Sequence, residues 1–143
     1  MKPVFFSALA AGLALPALAE TVAVDPAALP SRTIHAAATL TPLALSADGN
    51  PAVVLLEVAA GQVVAPHATE SGLRLLTVLS GETAWGDGDT VDPAAERVYP
   101  AGGLLLLPPG GMHRLAARGD AVRLRLAVLD DDKPVPAAAA LLE

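Results

Sequence analysis

The chain has 143 residues, 53% of them apolar, no cysteine, and a formal net charge of −6. A chain of this length supports one hydrophobic core and not two, and that core must hold without disulfides. The acidic balance argues against nucleic acid and against an anionic membrane surface as partners, since both select for clustered Lys and Arg.

Residues 1–19 read as an export signal. Lys2 supplies the positive start, residues 4–15 an apolar stretch, and Ala17-Leu18-Ala19 a small-x-small cleavage site before Glu20. A membrane-spanning reading fails because about 18 consecutive apolar residues are needed and Pro16 ends a shorter run. No second such stretch follows, so membrane insertion is not expected. The expected mature chain starts at Glu20, carries −7 once Lys2 is removed, and has no lipidation Cys; its expected location is the periplasm.

Residues 20–32 are Pro- and Ala-rich without a sustained period and read as an N-terminal arm. A first strand is expected over 33–45, with Pro42 interrupting or ending it, and a turn follows at Ala47-Asp48-Gly49-Asn50-Pro51. Further apolar runs at 52–60, 73–79, 83–85, 97–99, 103–107 and 121–129 are separated by Gly or Pro. That spacing predicts an all-β sandwich or barrel over 33–130. Asp130 to Pro136 stops the last strand, leaving 131–143 as a C-terminal tail.

Two segments carry the chemistry. In the first, Gly61 is followed after five residues by His67, then by Thr69, Arg74 and Gly81; in the second, Gly102 is followed by Pro108, Gly110 and His113. In order and in an all-β setting, these spacings resemble the two cupin motifs, G-x5-H-x-H-x(3,4)-E-x6-G and G-x5-P-x-G-x2-H-x3-N. Thr77-Val78-Leu79-Ser80-Gly81, Pro100-Ala101-Gly102-Gly103 and Pro108-Pro109-Gly110-Gly111-Met112-His113 are similar to a group of small exported bacterial cupins of the TVLSG, PAGG and PxGxxH type. The resemblance implies a double-stranded β-helix, a jelly-roll barrel of two antiparallel sheets around a pocket. It names no substrate, because the fold hosts many chemistries.

Family members hold one divalent metal (Fe, Mn, Ni, Cu or Zn) through two His and a Glu of the first motif and a His of the second. Carried over, His67 and His113 match the first and last ligands. Thr69 stands at the second His, Arg74 at the Glu and Ala117 at the terminal Asn. A guanidinium never deprotonates and has no lone pair to donate. Two like unit charges about 4 Å apart repel by roughly 4 kcal/mol at an effective dielectric of about 20, and a divalent ion doubles that. The expectation is therefore a pocket of His67, Thr69, Arg74 and His113 that binds a small organic ligand, an anion among the candidates, with no metal cofactor. The alternative is a metal-dependent enzyme, dioxygenase- or isomerase-like, using His67, His113 and a substitute ligand such as Glu70. No catalytic residue is assigned.

If Arg74 points inward, Leu76 and Val78 share its face. It then needs either an ion pair, with Glu57 or Glu70 as the candidates, or an external anion gripped by the guanidinium. His35 reads as a surface or edge-strand residue. Asp87, Asp89 and Asp92 read as an ordinary turn rather than a calcium loop. Trp85 and Tyr99 are expected to cap the barrel or a subunit contact, and Gly61, Gly81, Gly102 and Gly110 to be turn residues with unusual dihedrals. Because cupins pair through their outer sheet, Leu73, Leu75 and Leu79 are expected to form an outward face suited to a homodimer.

Overall fold

A computed structural model of the protein describes residues 21–129; the expected signal peptide and the whole of the expected C-terminal tail, 131–143, lie outside the described residues. Ten strands follow a 3₁₀ turn at Pro26–Ala28: β1 Arg32–Ile34, β2 Ala38–Leu45, β3 Pro51–Val58, β4 Val63–His67, β5 Leu73–Ser80, β6 Glu82–Asp87, β7 Arg97–Pro100, β8 Leu104–Leu107, β9 His113–Ala116 and β10 Val122–Leu129. A second 3₁₀ turn, Pro93–Ala95, lies between β6 and β7. The strands form two antiparallel sheets, ordered β1-β2-β3-β10-β5-β8 and β4-β9-β6-β7. This is the double-stranded β-helix expected from the motifs.

Alternation along each strand sends one set of side chains into the space between the sheets. Val54, Leu56 and Val58 of β3, Leu76 and Val78 of β5, and Leu124 of β10 meet Val64, Trp85 and Leu115 of the smaller sheet in one buried cluster. Each such aliphatic side chain contributes about 1.5–3 kcal/mol of transfer free energy on burial. The six predicted runs from 52 onward all fall on strands.

Three readings need correction. The run 33–45 is not one strand but a hairpin, β1 turning at residues 35–37 into β2. Pro42 does interrupt β2, as one of the two expectations had it, at a register shift between Pro42 and Ala44. There β2 is an edge, because β1 pairs only with Ala38, Thr39 and Leu40, so proline's missing N–H leaves no ladder bond broken. Trp85 does not cap the barrel: it is 6% exposed and part of the core. Leu73 is buried as well, at 3% exposure, which removes it from the expected pairing face.

All four motif glycines have positive φ, from 73° at Gly81 to 91° at Gly102. At Gly81, between β5 and β6, an added Cβ would also press on the carbonyl oxygen of Ala121, so both backbone and space demand glycine there.

Candidate functional site

The two motif histidines lie on the two strands that no predicted apolar run covers. β4 ends in Ala65-Pro66-His67 and β9 begins at His113. The ladder pairs His67 directly with His113, after a register shift between Val64 and His67, and places Asp87 of β6 on the other side of His113. The rings of His67 and His113 meet edge to face, centroids 4.5 Å apart. Trp85 stacks on His113 at 4.9 Å and 15°, a diagonal cross-strand contact, and its indole N–H donates to Asp87 Oδ1 at 3.2 Å.

Hydrogen bonds fix the tautomer of both rings. Nδ1 of His67 lies 2.9 Å from the Ala65 carbonyl, and Nδ1 of His113 lies 3.0 Å from that of Gly111. A carbonyl only accepts, so each Nδ1 carries the proton and each neutral ring presents an Nε2 lone pair. Burial, then the neighbouring His67, hold the His113 pKa below its ordinary value; the Gly111 carbonyl and Asp87 oppose this, and the charge of Arg74 reinforces it.

A third histidine joins these two, contrary to expectation. His35 stacks on His67 with centroids 4.0 Å apart and 24° between planes. The result is a ladder of four rings, His35, His67, His113 and Trp85, running from an exposed imidazole to a buried indole. Burial and the adjacent His67 lower the His35 pKa. The turn that delivers this ring is strained: His35 and Ala36 have φ of 48° and 57°, a region costing non-glycine residues roughly 1–2 kcal/mol each. Sequence reasoning missed His35 because it lies outside both motifs; only the packing of the β1–β2 hairpin across β4 brings it in.

Thr69 follows β4 in the loop that approaches the second motif, where the Gly110 N–H donates to the Thr69 carbonyl at 2.7 Å. Its Oγ1 is buried and has no hydrogen-bond partner. Glu70 is exposed on the bend that follows.

Arg74 shares a strand face with Leu76 and Val78, both of them in the core. It lines a cavity of 590 Å³ walled by Leu40, Val54, Leu126 and Val128, with Asp48 and Asn50 also in the lining. The histidines are not among the residues lining this cavity, so imidazoles and guanidinium form neighbouring features joined by the field of Arg74 at His113. The guanidinium donates to the carbonyls of Ser71 at 3.0 Å and Gly72 at 3.4 Å, and desolvation lowers its pKa. The expected ion pair with Glu57 is not made: Glu57 is on the solvent face of β3, 3.0 Å from Arg123. No ion pair among the described residues includes Arg74.

This donor set does not fit a resident divalent metal. His67 and His113 offer two imidazole nitrogens, but Thr69 is a poor ligand for such ions and Arg74 is a cation. His35 does not complete a chelate, because nearly parallel rings send their in-plane lone pairs side by side rather than to one point. Among the described residues, no group of three or more His, Cys, Asp or Glu side chains is placed to hold an ion.

A second polar cluster, absent from the motifs, supports β9 from behind. Arg114 points away from the barrel interior yet is only 1% exposed. It donates to the carbonyls of Asp87 at 3.2 Å and Asp92 at 2.9 Å, and its Nε lies 3.6 Å from Glu96. Glu96 also takes a two-pronged contact from Arg118, at 2.7 and 3.0 Å. The expected Asp turn is thus a loop folded over a buried arginine. Gly86 is part of the same device, since a Cβ there would run into the guanidinium.

No family model and no curated protein matches this sequence. Solved structures do match, at the level of the fold. A predicted oxalate decarboxylase of Thermotoga maritima superposes with a TM-score of 0.60 and 14% identity, over 76% of this chain and 98% of that one. The polyketide cyclase RemF of Streptomyces resistomycificus gives 0.62 and 15%, over 80% and 83%. The cupin domain of Drosophila melanogaster CENP-C gives 0.60 and 11%, over 75% and 80%. The fold is that of the cupins. At these identities the likeness shows the architecture alone, and chemistry must be argued from the side chains.

Proposed function

We propose that this is an exported, periplasmic binding protein whose cupin barrel takes a small organic anion, with Arg74 as its principal charge and His67, Thr69 and His113 beside it. The observation that carries this reading is an inward-facing guanidinium on a cavity wall, held by main-chain carbonyls and without an ion pair among the described residues. A half-buried guanidinium with no ion pair among the described residues is available to a carboxylate or phosphate, which it grips bidentately. His67 and His113 lie beside this cavity and not in its wall, so their lone pairs serve a ligand that extends past the guanidinium, accepting hydrogen bonds from its hydroxyl or amide groups. The test is calorimetric titration with small carboxylates and inorganic phosphate. Binding weakened at least tenfold by Arg74→Gln supports the reading. Near-stoichiometric metal on protein purified without chelator, lost in His67→Ala with His113→Ala, would overturn it in favour of a metal-dependent enzyme.

The same reading includes a homodimer formed through the outer face of the six-stranded sheet, where Leu79, Leu104 and Leu106 are 45–64% exposed. Sedimentation equilibrium should give a dimer for the wild type and a monomer for Leu104→Asp with Leu106→Asp.

A further inference from the structure

The four-ring ladder ends at the surface in a residue that neither motif contains. His35 is exposed, one face covers His67, and its ring nitrogens have no hydrogen-bond partner among the described residues. It is held there by two successive left-handed residues, His35 and Ala36, closed by a bond from the Ala37 N–H to the Ile34 carbonyl at 3.2 Å. Hairpin turns with two such residues favour Asn-Gly, whose short side chain and missing Cβ accept positive φ. Here a ring-bearing residue and an alanine are used instead. Strain of this kind persists where it presents a side chain that a relaxed turn would not carry.

We propose that His35 is a third ligand-contacting side chain of this site and gives it a preference for small organic acids with a flat, conjugated body. The inference rests on the anion-binding reading above. The free face and unsatisfied nitrogens of His35 offer a stacking surface with polar edges, backed by His67 and anchored through His113 on Trp85. An offset-stacked π partner gains from such a face what a saturated ring of equal charge does not.

The probes are benzoate and cyclohexanecarboxylate, equal in charge and similar in size but only one of them flat, titrated into the full mature chain. Wild-type protein should bind benzoate roughly two- to tenfold more tightly, the range expected from one aromatic contact. His35→Ala, equally strained but without the ring, should abolish that preference by weakening benzoate more than cyclohexanecarboxylate, and His35→Phe should restore it. Ala36→Gly should retain the preference and raise Tm. Equal binding of the two acids by the wild type, with Arg74→Gln weakening both, would overturn this proposal and leave the anion site standing. Tighter benzoate binding by His35→Ala would overturn it too, since the ring would then be an occluding group. Insensitivity to Arg74→Gln with the His35 effect intact would remove the Arg74 reading instead. Binding of neither acid overturns both.

Discussion

At residue scale, the histidines set an acid limit on stability. His113 and His35 both have folded pKa values below the ordinary 6.5, so at mildly acidic pH the unfolded chain binds more protons than the folded one. Their contribution is therefore fully present above about 6.5 and is lost as pH falls toward and through the folded values. Urea midpoints should decrease from pH 7 to pH 5, and the decrease should shrink in His113→Gln. A constant midpoint across that window would contradict the burial argument. Arg114 makes a sharper case. Removing its guanidinium leaves Glu96, 5% exposed in its side chain, facing Arg118 alone. Breaking a buried pair from one side costs about 3–5 kcal/mol, so Arg114→Ala should lose that much in urea unfolding. Gly86→Ala should lose roughly 1–3 kcal/mol by overpacking the same guanidinium, and Gly86→Ala in an Arg114→Ala background should lose far less.

At the scale of elements, the turn that carries the chain from β5 in one sheet to β6 in the other, and the hairpin between β1 and β2, solve the same problem in opposite ways. Gly81 meets a left-handed requirement with the residue suited to it, under the Ala121 carbonyl. Gly81→Ala should therefore destabilise by about 2 kcal/mol or more, from positive φ plus steric pressure, read as a lower thermal midpoint. Residues 35 and 36 meet a similar requirement with His and Ala, so relief should come easily there. The loop between β6 and β7 is organised around a side chain: the carbonyls of Asp87 and Asp92 converge on Arg114.

At the scale of the whole molecule, the barrel has the fold of the cupins while its side chains present a cation to the interior. If the donor set alone prevents metal binding, restoring it should suffice. Thr69→His with Arg74→Glu should bind Co²⁺ or Ni²⁺ stoichiometrically, with d–d absorption reporting coordination by imidazole and carboxylate. Thr69→His alone should not, because Arg74 still repels the ion. Failure of the double variant to bind metal would show that strand geometry, and not only residue type, has departed from the metal-binding arrangement.

The sequence by itself determined the all-β class, because strand recognition needs only local alternation and turn chemistry, and the resemblance carried by the paired motifs implied the double-stranded β-helix. It also determined that Arg74 shares a face with Leu76 and Val78, since a period of two leaves no other choice; that this face points inward came from the structure. Strands β4 and β9 were legible only as motif, not as strand. Pro66 masks β4, and β9 is buried on both faces, so its His-Arg-Leu-Ala shows no alternation of polarity. The tertiary structure alone decided the rest. It placed His35 on His67 across two sheets, buried Arg114 beneath a distant loop, moved Trp85 from rim to core, and sent Glu57 to solvent instead of to Arg74. Each depends on which elements pack together across long stretches of chain, and local periodicity carries no record of that.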